Sequence, residues 1–281
     1  MLGAAETMLN VLLTNDDGIE AEGLQALRRR LLVIPGIELA VIAPDGNRSA
    51  MARSITTRRP LWVSEVDFDD GTVGYATDGT PVDCVRLANL GLVDGFRAEL
   101  VVAGINHGAN LGDDITYSGT VAAALEALVL GLPGIAVSQQ SVARELDFRS
   151  GPAFEFDRSA AFAARLVAEL RELPLPVGTL LNINVPGITP TGVAVARLGK
   201  RVYRDELSLL GEDGGRRQYR IYGDADFERD ENGTDLAAVA DGLIAVTPIH
   251  FDLTYSAGIE ALAGYDLARL IEPAADEVTE G

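Results

Sequence analysis

The chain has 281 residues, 47% of them apolar, and a formal charge of −19 from 23 Lys and Arg against 42 Asp and Glu. That length supports a sizeable α/β core, and the acidic balance argues against long nucleic acid and anionic membrane surfaces as partners. Cys84 is the single cysteine, which excludes an intrachain disulfide, a cysteine-based zinc site and an iron–sulfur cluster and points to a reducing cytoplasm.

Met8 to Thr14 is a short apolar run that stops at Asn15-Asp16-Asp17-Gly18. From Glu22, the leucines at 24, 27, 31 and 32 follow a helical period, and Ile37 to Ala43 reads as a second strand. Strand, helix, strand in about 35 residues is a βαβ unit. Trp62–Val66 and Thr72–Thr77 read as strands, Val82–Leu92 as a helix, and Leu100–Ile105 as a buried strand. Val121–Leu130 reads as a helix, Gly134–Ser138 as a strand, Ala153–Leu173 as a long helix and Thr179–Val185 as a strand. The most apolar stretch, Gly119 to Val137, is interrupted by Glu126, Gly131, Pro133 and Gly134, which fits a buried helix and strand rather than a membrane span.

The rhythm breaks after Pro186. Between Lys200 and Asp235, 17 of 36 residues are charged, twice the chain average, and Val202-Tyr203-Arg204 and Gln218–Tyr222 predict a protruding β-hairpin. Leu243–Pro248 returns as a buried strand, Ser256–Leu270 closes as a helix, and an acidic tail follows Glu272. The expected fold is an α/β, Rossmann-like, doubly wound and mostly parallel sheet with a C-terminal β-hairpin extension. The expected organisation is a core over 8–198, the hairpin over 199–236, and a strand and helix over 237–272 returning to the core.

Open α/β sheets bind ligands beyond the carboxyl ends of their strands. Three strand-following loops are rich in oxygen-bearing or glycine residues: Asn15–Gly18, Pro44–Ser49 and Asn106–Thr120. Neighbouring side chains on a strand point apart, so Asp16 and Asp17 share a ligand only where the chain turns. Two carboxylates so close raise each other's pKa unless a cation neutralises them. Oxygen donors would select Mg²⁺, Mn²⁺ or Ca²⁺; a solvated turn is the alternative. Ser49 and Asn106 offer neutral oxygens at two other strand ends, and Asn110 adds a second amide. Ser118-Gly119-Thr120 opens a helix and reads either as an anion site or as an ordinary cap.

These residues lie within LLTNDDGI, VIAPDGNRSA, DGTPVDC, VAGINHGANLGDDITYSGTVAAALEA, LNINVP and GTDLAAVADGLIAVTPIHFDLT, spread in order over residues 12–254. Together they resemble the motifs of the SurE family, the survival-protein E nucleotidases. The resemblance implies metal-dependent removal of phosphate from nucleoside 5′- and 3′-monophosphates, and, for some members, trimming of short polyphosphate. It implies one divalent ion per subunit, Mg²⁺ or Mn²⁺, on Asp16, Asp17, Ser49 and Asn106. Phosphate contacts would come from Asn110, Ser118, Gly119 and Thr120. It also implies a homodimer or homotetramer with exchanged C-terminal segments, which gives the 199–236 segment a role in assembly. Met51-Ala52-Arg53 departs from the small or polar residues frequent there in the family.

In the mechanism this implies, one Asp of the pair accepts a proton from the attacking water, Asp16 or Asp17. His107 either touches substrate or stands by, His250 has a structural role, and Asp113-Asp114 either orders its loop or complements a neighbouring donor. A haloacid-dehalogenase-type phosphatase would need Asp-x-Asp after the first strand, which Asn15-Asp16-Asp17-Gly18 does not supply. A receiver module would need an acceptor Asp where Asn106 stands. A nucleotide-binding regulator without turnover remains open at this point.

Overall fold

The computed structural model describes residues 8–143, 153–200, 202–203, 207–221, 225–226 and 232–271. The expected termini before Met8 and after Glu272, together with Arg204 and Tyr222 of the expected hairpin strands, lie outside the described residues.

In chain order the first half comprises β1 (Leu9–Thr14), α1 (Glu22–Leu31), β2 (Ile37–Pro44), β3 (Val63–Asp67), β4 (Val73–Thr77), α2 (Pro81–Asn89) and β5 (Leu100–His107). There follow α3 (Gly119–Val129), β6 (Gly134–Gln139), α4 (Asp157–Ala168), β7 (Thr179–Val185) and β8 (Gly192–Val195). The rest comprises β9 (Val202–Tyr203), β10 (Ser208–Asp213), β11 (Arg216–Arg220), β12 (Ala225–Asp226), α5 (Asp235–Ala240), β13 (Leu243–His250) and α6 (Ser256–Ala263).

One nine-stranded sheet has the order β3-β4-β2-β1-β5-β6-β7-β13-β8. Its pairs are parallel except β3 with β4 and β13 with β7. The chain winds outward from β1 to β2 and later resumes at β5 on the other side of β1. That reversal opens a crevice at the carboxyl ends of β1 and β5. The alternation of the pleat explains why both faces are apolar. Val11 and Leu13 pack with Leu24, Leu27 and Leu31 of α1 and with Ala160, Ala163 and Val167 of α4. Leu12 points the other way, to Cys84 and Val85 of α2 and Ala123 and Ala127 of α3. Each fully buried leucine contributes about 1.5–3 kcal/mol relative to its exposed state.

Helix ends follow local chemistry. Thr80 caps α2 by accepting from Asp83 N at 3.2 Å, while the Asp83 carboxylate accepts from Thr80 N at 2.9 Å, and Pro81 occupies the first turn. The Thr80 hydroxyl also donates to the Ser54 carbonyl at 2.8 Å, fastening the loop after β2.

The expected helix over 153–173 is shorter: α4 starts at Asp157, and a 3₁₀ turn covers Leu170–Glu172. The expected helix from Val121 starts two residues earlier at Gly119 because the Ser118 side chain caps it. β8 and α5 were not anticipated. The hairpin is formed by β10 and β11, antiparallel; the expected run Gln218–Tyr222 overlaps β11, and Val202-Tyr203 forms β9, which pairs antiparallel with β12. The chain divides into two compact units at Phe251/Asp252; the second holds α6 and a 3₁₀ turn over Leu267–Leu270. Among the described residues, no helix is long and apolar enough to cross a membrane.

Replacing Thr80 by Ala removes both the cap and the tie to Ser54. The expected loss is about 1–2 kcal/mol, read in thermal denaturation as a fall of roughly 2–6 °C.

Candidate active site

The site grows from the end of β1. The Asn15 side chain closes the turn on itself, donating to the Gly18 carbonyl at 2.9 Å and accepting from Gly18 N at 3.2 Å. Gly18 has φ +112°, and a Cβ there would lie 3.1 Å from Gly46 Cα in the loop after β2. Both the backbone conformation and the close approach therefore demand glycine. The turn swings Asp16 and Asp17 toward a common space.

Asp16 is buried. Its carboxylate accepts from Gly119 N at 3.2 Å and from the Thr120 hydroxyl, both in the first turn of α3. A Cβ on Gly119 would lie 2.8 Å from the Asp16 side chain, so only glycine lets this helix end meet the carboxylate. Asp17 is partly buried and accepts from His107 N at 3.0 Å, at the end of β5, and from Asn47 Nδ2 at 3.3 Å. Arg48 N donates to the Asp16 carbonyl at 2.6 Å, which binds the loop after β2 to the loop after β1.

Both carboxyl groups are pushed up to about 6, chiefly by burial. For Asp16 the negative charge of Asp17 adds to the effect, and the Thr120 and Gly119 hydrogen bonds oppose it. No lysine or arginine side chain pairs with either carboxylate among the described residues. Asn106 donates from Nδ2 to the Gly108 carbonyl at 2.8 Å, so its oxygen turns to the Thr120 hydroxyl, 3.5 Å away, on the carboxylate side. Ser49 is exposed, with its N–H on Asn47 Oδ1 at 2.9 Å, just before Ala50 at φ +58°.

This donor set suits a hard divalent cation. Two carboxylates and neutral oxygens supply negative charge without sulfur or imidazole. Among the described residues no group of three or more His, Cys, Asp or Glu is gathered to hold an ion. A cation here would therefore use neutral ligands as well as Asp16 and Asp17.

Of the expected phosphate contacts, Gly119 and Thr120 touch Asp16 directly, and Ser118 is the cap of α3, accepting from Val121 N at 3.1 Å. Asn110 is buried deeper than a surface contact. Its Nδ2 donates to Ser138 Oγ at 2.8 Å, its N–H donates to Asn184 Oδ1 at 2.7 Å, and its carbonyl accepts from Asn182 and Asn184, each at 2.9 Å. Sequence reasoning missed this ladder. Its signal is two asparagines at i and i+2 on one face of the otherwise apolar strand β7.

Asp235 was likewise missed. Its buried carboxylate accepts from Gly112 N at 2.8 Å, Gly199 N at 2.9 Å and Leu236 N at 2.9 Å, joining the Asn106–Thr120 loop to the hairpin root and α5. Asp113 and Asp114 lie in a 3₁₀ turn over Gly112–Thr116 within that loop. The His107 ring stacks with Phe154 at 5.2 Å and Phe156 at 4.9 Å between centroids, and desolvation lowers its pKa.

An oxygen-donor centre at the switch point of a doubly wound sheet, beside a helix N-terminus, defines a class of α/β protein built to handle anionic ligands. The family model described as "Survival protein SurE" matches residues 11–205, and the chain belongs to the SurE family. Its relatives include proteins named 5′-nucleotidase SurE from Rubrobacter xylanophilus and Chloroflexus aggregans. The first is 51% identical over 267 residues, 94% of this chain and 99% of that protein. The second is 45% identical over 259 residues, 91% of this chain and 98% of that protein. The crystal structure of SurE from Aquifex aeolicus matches with a TM-score of 0.75 at 34% identity, covering 90% of this chain and 98% of that one.

The raised carboxyl values carry a sign. A folded-state value near 6 against about 4 unfolded means that the metal-free protein loses stability as pH rises through that interval. Asp17→Asn keeps an acceptor for His107 N and removes one charge. Without metal, it should raise stability by about 1–2 kcal/mol at pH 7.5 and leave it nearly unchanged at pH 4. Thermal denaturation in EDTA at the two pH values measures this.

Proposed function

We propose that this chain is a divalent-metal-dependent phosphomonoesterase that hydrolyses nucleoside 5′- and 3′-monophosphates to nucleoside and phosphate, with short polyphosphate as a further substrate. The observation that carries this reading is the Asp16–Asp17 pair, uncompensated by any described cationic side chain and seated against the first turn of α3. The names of the relatives support the 5′-nucleotidase assignment. Asp16, Asp17, Ser49 and Asn106 would hold one Mg²⁺ or Mn²⁺ per chain. When bound, that ion supplies the positive charge that polarises a phosphoryl oxygen and acidifies water.

The chain's own groups do the rest. The N-terminal turn of α3, through Ser118, Gly119 and Thr120, presents the positive end of the helix dipole to the phosphate, and Asn110 supports the loop beside it. Asp16 accepts a proton as water attacks phosphorus; the bond to the nucleoside oxygen breaks, and that oxygen takes up a proton from solvent water as it leaves. A carboxyl group raised toward neutrality suits such proton exchange. Asp17 is the alternative base.

Phosphate release from a nucleoside monophosphate with Mn²⁺ should be abolished by EDTA and restored by added ion. Asp16→Asn should lower kcat by about a hundredfold or more. Unchanged turnover in that variant at saturating Mn²⁺ would sink the assignment of Asp16, and a trapped aspartyl phosphate would replace direct attack by a covalent route.

We further propose a cytoplasmic homodimer or homotetramer with exchanged C-terminal segments. The cytoplasmic reading is supported by the lone, buried Cys84, and assembly by the β10–β11 hairpin, where Leu209, Leu210 and Tyr219 are exposed. Light scattering should return two or four chain masses; a single chain mass would contradict it.

A further inference from the structure

We propose that His107 and Phe154, backed by Phe156, form the platform on which the nucleobase of the substrate stacks. This rests on the nucleotidase reading of the site and adds to it the place that recognises the base. The three rings form a mutually offset-stacked cluster: His107 lies 5.2 Å from Phe154 and 4.9 Å from Phe156, the two phenylalanines are 5.7 Å apart, and the interplanar angles are 13–28°.

The cluster joins the Asp16–Asp17 centre directly, because the His107 N–H is one of the two groups that donate to Asp17. It is also braced. Phe156 is only 4% exposed and belongs to the core formed with α1 and α4, whereas His107 is exposed and Phe154 partly so. A rigid backing with an open ring surface is preorganised for a flat aromatic ligand. Phe154 and Phe156 also line a cleft of about 520 Å³ against α1, within the range of small-molecule sites. Glu22 and Arg29 on its α1 wall supply an acceptor and donors for the polar edge of a base. Stacking accepts any base, since each offers a π face. The platform therefore predicts broad base tolerance and, among sugar phosphates, a preference for those that carry a base.

The test compares AMP with ribose 5-phosphate, which shares the phosphate and sugar but has no base, both assayed with Mn²⁺. Wild-type protein should prefer AMP in kcat/KM. Phe154→Ala and, at the exposed position, His107→Ala should each lower the AMP to ribose 5-phosphate ratio of kcat/KM about tenfold, through KM for AMP. Phe154→Tyr should restore the ratio. The fluorescence of 2-aminopurine riboside 5′-monophosphate should be quenched on binding wild type and quenched less by Phe154→Ala.

Equal losses on both substrates would reduce the cluster to a loop support and overturn the proposal, as would an unchanged ratio in both alanine variants. Equal wild-type activity on AMP and ribose 5-phosphate would overturn the platform while leaving the phosphatase reading intact. Failure of wild type to hydrolyse either substrate would overturn the nucleotidase reading itself, and the quenching measurement would still decide whether a base stacks on these rings.

Discussion

Asp16 and Asp17 are consecutive carboxylates at the end of β1, one buried and one partly so, and burial opposes the charged form of each. Their proximity makes the pair titrate as a unit, and among the described residues it is met by neutral donors rather than cations: Gly119 N–H, the Thr120 hydroxyl, His107 N–H and the Asn47 amide. The arrangement stabilises part of the negative charge, and no described cationic side chain offsets the remainder. The other loops are shaped around this incomplete compensation.

Each loop reaches the pair by a different device. The loop after β2 is drawn in through the Arg48 N–H on the Asp16 carbonyl, and its Gly46 backbone lies where a Cβ on Gly18 would come within 3.1 Å. β5 contributes His107 and Asn106. The loop after β5 is held by the Asn110 ladder from β7 and by Asp235 at the start of α5. Apolar contact reinforces that anchoring, with Ala109 and Leu111 packed against Leu236, Val239 and Ala245. The proposed phosphate site near α3 would thus depend on β7 and α5, because preorganised donors must be held by packing and neighbouring hydrogen bonds.

Much of the fold was legible because its signals are local and periodic. The apolar runs of β1, β2, β5, β6 and β7 mark doubly covered strands of a mostly parallel sheet, and the i, i+3, i+7 leucines of α1 mark its buried face. Elements with weaker local patterns were not legible. β8, only Gly192–Val195, has two of its four side chains exposed, and α5 is six residues long, so neither produces a distinct period. The start of α4 was misplaced because Phe154 and Phe156 extend the apolar composition of the helix upstream, whereas their rings stack on His107 and the helix begins at Asp157.

The amino-acid sequence by itself determined the alternation of strands and helices, the oxygen-only character of the donors, and the turn that lets adjacent aspartates face one space. Those properties follow from residue type and short-range periodicity. Only the tertiary structure decided which groups meet. The crossing from β2 to β5 at the β1 edge brings Gly119 to Asp16 across 103 residues, and β7 supplies amides to Asn110 from more than 70 residues away. Sequence period tells which face a side chain occupies but not which strand lies beside it. The partners of a buried polar group are therefore set by sheet order and register.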